Sequence, residues 1–303
     1  MNHAALRELL PSWVRASDWR LSPISGGLVN DNYRLSRGDQ HYFVKRFGAG
    51  TDAFIDRQQS VAAQQQACQL GIAPAVVYFD AKQGLEISEF LCGYHPARSA
   101  DFSDERYLRA AVATYRALHQ APLLATCKDV FTMTDEHIEQ GSMLGAQQPS
   151  WFTWLMAQYQ RAREAFMASG LELVPCHNDP MPGNFLFQTD AAGAPCALKL
   201  VDFEFASNNE RAYELGVFLG EMFVDAERCH ELIEAYFGAV TAQIEARVWV
   251  MRAVADVKWG AWAVQQRCRS DWDFDYQKYG FWKYARARQL MLSPHWERWM
   301  ARI

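Results

Sequence analysis

The spacing of apolar positions along this chain changes once. Up to about residue 92 they alternate with polar positions over short runs, the period of half-buried strands, around a single stretch of helical period. Beyond that point helical spacing dominates, interrupted by a strand-rich stretch from 173 to 205. Ahead of both, Met1 to Leu10 reads as an amphipathic helix. In the first part an alternating strand runs to Leu35, Arg37-Gly38-Asp39-Gln40 turns the chain, and His41-Tyr42-Phe43-Val44-Lys45 returns as its partner. A helix from about Thr51 to Leu70 follows, with Gln58, Gln59, Gln64, Gln65 and Gln66 as a polar face, and Gly71-Ile72-Ala73-Pro74 stops it. Two more strands cover Val76 to Phe79 and Leu85 to Leu91. The pattern predicts an α+β chain with a small antiparallel sheet in residues 1–92 and a mainly helical region in residues 93–303.

The strand-rich stretch carries the chemistry. Cys176-His177-Asn178-Asp179 is followed by Asn184, and Leu198-Lys199-Leu200-Val201 reads as a strand that ends on Asp202-Phe203-Glu204. Phosphoryl transfer needs a group to orient the acceptor hydroxyl and oxygen ligands to hold magnesium against phosphate oxygens. Asp179 suits the first task, Asn184 and Asp202 the second, and Glu204 reaches a second metal or its water. Taken singly, these residues are better explained by turns and helix caps. As a group with this spacing they predict an ATP-dependent kinase using Mg2+.

Earlier positions fit that order. Gly26 and Gly27, with Asn30 after them, precede the first hairpin strand, where glycines let backbone amides approach phosphates. Lys45 falls where a nucleotide kinase places its phosphate-binding ammonium, although a lone strand lysine is more often simply exposed. The stretch from Glu89 through Leu91 to Gly93 is the connector between the two regions, with its backbone as the expected adenine contact.

Composition narrows the class. At 303 residues with half of them apolar, two lobes are more natural than one. A net charge of −5 with scattered basic residues argues against a nucleic-acid partner. No apolar run reaches transmembrane length and the N-terminus does not read as a signal peptide, which predicts no membrane insertion and a cytoplasmic location. Seven cysteines, widely spread and without a Cys-x-x-Cys pair, predict reduced and mostly buried thiols, Cys176 among them.

These blocks together resemble the choline/ethanolamine kinase family, within the larger group that contains the aminoglycoside phosphotransferases. Cys176 to Asp179 with Asn184 is similar to its catalytic signature. Asp202-Phe203-Glu204-Phe205 continuing through Asn209, Arg211, Gly216 and Glu221 is similar to its second signature. Trp259-Gly260-Ala261-Trp262, Asp273-Phe274-Asp275-Tyr276 and Tyr279 resemble its C-terminal part. The resemblance implies a two-lobed protein-kinase-like fold and a choline-like small alcohol as acceptor. It also implies an acceptor pocket lined by Glu221, Trp259, Trp262 and Tyr279. Choline's quaternary ammonium has no N–H to donate, so aromatic faces and a nearby negative charge must hold it. Trp259 and Trp262, three apart, share one side of a helix, a spacing that core packing also favours.

The chain departs from the family at Ser60, where relatives carry a helix glutamate that pairs with the strand lysine. Gln59, Gln64 or an acid from elsewhere is left to take that place. Phe205 stands where many relatives have tyrosine, and Arg211 serves either transferred charge or a local ion pair. A kinase for ethanolamine, thiamine, an aminoglycoside or a sugar, or a non-catalytic nucleotide-binding protein, remains compatible with the sequence. It does not give an oligomeric state.

Overall fold

The computed structural model describes residues 3–24, 30–48, 50–53, 55–270 and 272–303. In chain order its elements are α1 (His3–Leu9), α2 (Ser12–Arg15), β1 (Arg20–Ile24), β2 (Asp31–Arg37), β3 (Gln40–Arg46), α3 (Arg57–Gln69), β4 (Val76–Asp80), β5 (Leu85–Glu89) and β6 (His95–Pro96). Then come α4 (Glu105–Leu118), α5 (Val130–Met143), α6 (Phe152–Ser169), β7 (Leu173–Cys176), β8 (Phe185–Thr189), β9 (Pro195–Leu200) and β10 (Ser207–Glu210). The chain closes with α7 (Arg211–Glu221), α8 (Ala226–Phe237), α9 (Ala242–Gln266), α10 (Tyr276–Met291) and α11 (Trp296–Met300). Contacts divide it into two units, Met1–Pro96 with Asn184–Phe205 and Ala97–Gly183 with Ala206–Ile303. The class is α+β, as expected.

In the first unit an antiparallel sheet runs in the order β1-β2-β3-β5-β4. Successive side chains of a strand face opposite ways, and the register uses this to separate core from chemistry. Val44 pairs with Ile87, and both join Leu6, Leu10, Val14, Trp19 and Leu35 in an apolar cluster. Lys45 pairs with Asn32 on one side and Glu86 on the other, so it shares the opposite face with that glutamate. The hairpin turn lies where the pattern put it, with Gly38 at φ 55°.

The helix after the hairpin starts later than its periodicity predicts. Thr51–Ala53 is a 3₁₀ turn, and α3 begins at Arg57 because the Asp56 carboxylate caps it, accepting from the backbone N–H groups of Gln58 and Gln59 at 3.1 and 3.0 Å. Its glutamines do not form one wet face either. Gln59 and Gln64 are buried, and Gln64 donates to the Pro74 carbonyl at 3.3 Å. The antiparallel hairpin of β8 and β9 belongs to this unit, with β6 along its edge.

The second unit is helical around α9, with β7 and β10 as a two-stranded ribbon. Its helices lie close at glycines. A Cβ on Gly216 of α7 would sit 2.9 Å from the backbone of Arg252 and Val248, and one on Gly260 of α9 would sit 2.4 Å from the Tyr284 ring on α10. All seven cysteines are free, but Cys92, Cys127, Cys196 and Cys268 are exposed, so the expectation of mostly buried thiols fails. Among the described residues no helix is long and apolar enough to cross a membrane.

Candidate active site

Within the first unit, β8–β9 register brings two predicted ligands together. Phe185 pairs with Leu200, and the Val201 N–H donates to the Asn184 carbonyl at 3.0 Å, so Asn184 and Asp202 lie at one end of one hairpin. Asp202 is half-buried and adopts φ 69°, a left-handed conformation rare outside glycine and asparagine and frequent at functional sites. The Lys45 ammonium lies 2.6 Å from Asp202 Oδ1 and 3.7 Å from Glu204 Oε1. Burial alone would push this lysine down. Asp202, Glu204 and Glu86 outweigh it and hold the ammonium above the usual lysine range. Burial raises the Glu86 carboxyl, with Lys45 opposing.

Glu204 is buried and gathers donors from three places. Its Oε1 accepts from Asn30 Nδ2 at 2.8 Å and Arg57 Nη1 at 2.7 Å, besides facing Lys45. Helix α3 therefore supplies an arginine rather than an acid. Lys45 finds its acids on the segment after β9, the third of the sources Ser60 left open. Asn30 Oδ1 also accepts from the Gly48 N–H at 3.1 Å. Glu89 is exposed at the end of β5, its N–H bonded to Ala75, and Leu91 is half-buried with its carbonyl accepting from Tyr94. Gly26 and Gly27 lie outside the described residues.

In the second unit the segment after β7 is fixed from beneath. The fully buried Glu214 carboxylate on α7 accepts the backbone N–H groups of both His177 and Asn178, the latter at 2.8 Å, and lies 3.3 Å from His119 Nε2. Asn178, at φ 69°, donates to Ser207 Oγ at 2.9 Å and accepts from Asn209 Nδ2 at 3.0 Å. Asp179 is the half-buried residue that follows this anchored pair. Burial raises Cys176 well above the usual thiol range, which leaves it a packed thiol. Arg211 lies 3.5 Å from Glu172, with the ring of Tyr236 beneath it.

The aromatic residues expected at the acceptor converge in the same unit. Trp259 and Trp262 on α9 meet edge to face at 5.4 Å, and Trp262 meets Tyr279 of α10 at 6.5 Å. Burial, then Glu221 and Asp179, raises the Tyr279 hydroxyl well above its usual range. Glu221 pairs with Lys283 and lies 3.6 Å from Arg286, while Arg286 reaches Asp256 at 3.1 Å. Burial lifts Asp256 to about 6, with Lys283 and Arg286 opposing. Lys258 holds its ammonium 3.1 Å from the centre of the Trp259 ring.

Residues 20–251 match the family model described as Phosphotransferase enzyme family. The chain belongs to the phosphotransferase enzyme family. Within it, a LicA protein of Haemophilus influenzae is 24% identical over 216 residues, covering 70% of this chain and 61% of LicA, so the match spans less than two thirds of that relative. A choline/ethanolamine kinase of Homo sapiens is 23% identical over 339 residues, covering 93% of this chain and 83% of that one. Among solved structures, a choline/ethanolamine kinase family protein of Mesorhizobium loti superposes with a TM-score of 0.83 at 24% identity, covering 100% of this chain and 99% of the other. That likeness is one of fold, the protein-kinase-like arrangement expected from sequence.

Sequence reasoning passed over Arg57, Glu86, Glu214, Asp256, Lys258, Lys283 and Arg286. One signal was available. Asp256 and Lys258 are the only charges between Ala253 and Val264, and an ionisable side chain inside such an apolar helical run rarely lacks a task.

Proposed function

We propose that this phosphotransferase moves the γ-phosphoryl group of ATP to the primary hydroxyl of choline or a closely related small amino alcohol. Family membership supplies the reaction class, and the choline and ethanolamine kinases among its relatives supply the acceptor class. The observation that carries the nucleotide half is the hairpin end, where Asn184 and Asp202 lie together and Lys45 already sits on the Asp202 carboxylate.

That donor set fits magnesium. An amide oxygen and a carboxylate are the hard ligands this ion prefers, and the Lys45 ammonium against Asp202 supports a site that favours positive charge. When bound, the ion neutralises charge on the phosphate oxygens. Asn184 and Asp202 would hold it. Glu204, fixed by Arg57 and Asn30, orients Lys45, whose ammonium steadies the α- and β-phosphates. Asp179, held by the Glu214 scaffold, orients the acceptor hydroxyl and takes its proton. Glu221, Trp259, Trp262 and Tyr279 receive the acceptor's cationic end.

The test is magnesium-dependent ADP release across choline, ethanolamine, thiamine and an aminoglycoside. Choline or ethanolamine should stand out, and Asp179→Ala should abolish turnover while ATP binding by calorimetry stays within about threefold. ADP release with the aminoglycoside alone, or equal loss of turnover and ATP binding in Asp179→Ala, contradicts the assignment.

A further inference from the structure

The acceptor cluster already contains its own cations. Lys258, Lys283 and Arg286 stand among Asp179, Glu221 and Asp256, and Lys283 and Arg286 are matched to acids by direct ion pairs. Lys258 also stands on one of the aromatic rings. It is fully buried on α9, and its ammonium is 3.1 Å from the centre of the Trp259 ring, well inside the roughly 6 Å reach of a cation on an aromatic face. A lysine placed next to a tryptophan in sequence need not bend over it. Here it does so on one of the rings assigned to the acceptor.

We propose that Lys258 is a specificity-determining residue of the acceptor site, whose ammonium competes with the acceptor's own cation for the face of Trp259. The proposal rests on the acceptor reading above and adds to it. Two like charges cannot share one ring face in a water-poor site, so a quaternary ammonium binds there only when the lysine moves away or gives up its proton. The second route is open. Burial holds Lys258 well below the ordinary lysine range, opposed by Asp179 on the segment after β7 and by Glu221 at the end of α7. Lys128 ahead of α5 and Lys283 on α10 push the same way as burial, and neutral His137 on α5 faces it too. Wherever Lys258 carries its proton in the free site, acceptor binding releases it, and the affinity for a permanently charged acceptor then rises with pH.

Choline and its uncharged isostere 3,3-dimethylbutan-1-ol separate this effect from everything else in the reaction. Choline's charge does not titrate, and the isostere has the same shape without it. The experiment measures KM for both alcohols from pH 6 to 9 with wild type, Lys258→Met and Lys258→Arg. In wild type, choline KM should fall with rising pH relative to the isostere's. Lys258→Met, which keeps the side-chain length without charge, should lower choline KM at pH 7 by about tenfold and leave the isostere within twofold. Lys258→Arg keeps the charge at every pH, so choline KM should stay high and flat. If Lys258→Met folds poorly by circular dichroism, the wild-type pH comparison and Lys258→Arg still decide. A choline KM unchanged or raised in well-folded Lys258→Met, or one pH trend shared by both alcohols, overturns the role of Lys258 while the kinase assignment stands. ADP release with another alcohol and none with choline in any variant overturns the acceptor reading, and this proposal with it.

Discussion

Glu214→Gln tests how the catalytic segment is held. The wild-type carboxylate is fully buried, accepts the backbone N–H groups of His177 and Asn178, and lies against His119. A hydrogen bond to a charged group nets about 1.5–3 kcal/mol, and a buried donor left unsatisfied costs about 1–3 kcal/mol. Glutamine keeps one acceptor oxygen and the shape, but its NH₂ end faces a backbone N–H, so one bond is lost and one donor is stranded. The stranded donor sets the destabilisation at roughly 1–3 kcal/mol. Asn178 holds a left-handed conformation that this scaffold enforces, so the loop should also relax and carry Asp179 away. A displacement of about 1 Å in a catalytic group costs on the order of a hundredfold in rate. Urea unfolding of wild type and variant side by side reads the first effect, and steady-state ADP release reads the second. The ATP KM should move less than threefold, because Lys45, Asn184 and Asp202 are untouched. A stability change below about 1 kcal/mol with kcat within threefold refutes the reasoning.

Two further outcomes follow from buried groups. Arg57→Ala removes the cation 2.7 Å from buried Glu204 and leaves it, among the described residues, Lys45 at 3.7 Å and Asn30, which should cost about 3–5 kcal/mol in a thermal melt and raise the ATP KM; a melt within 2 °C of wild type would contradict the pairing. Burial, then Lys258, depresses His137 from 6.5 to about 3, so its contribution to stability is complete above pH 6.5 and is lost as pH falls toward 3. At about 1.36 kcal/mol per unit, His137→Gln should remove roughly 2–3 kcal/mol of the stability lost between pH 6.5 and 4.5, and an unchanged slope in urea unfolding would dismiss the role of this ring.

What the sequence made legible was whatever rests on local periodicity and turn chemistry. The hairpin ending in Lys45, the strand ending on Asp202 and the helical spacing of Trp259 and Trp262 all lie where their patterns put them. The start of α3 was misread because apolar spacing cannot reveal that the Asp56 side chain caps the backbone two and three residues on. The partner of Lys45 was invisible for a different reason. Ser60 removed the expected acid, and the acids that replace it arrive from 157 and 159 residues away, where no local pattern links them. Arg57 with Glu204 and Glu214 with His177 are separations of the same kind. Lys258 was readable as a charge in an apolar run. Its place on the Trp259 ring was not, since a helix turns adjacent residues about 100° apart and only packing bends one over the other.

The most direct test of the central claim is the product itself, followed by phosphorus NMR of reactions containing ATP, magnesium and choline or ethanolamine. The account predicts a phosphomonoester resonance of the alcohol that grows with ADP for wild type and is absent for Asp179→Ala and Asp202→Ala. Appearance of inorganic phosphate alone, or of the monoester at wild-type rate in either variant, would contradict it.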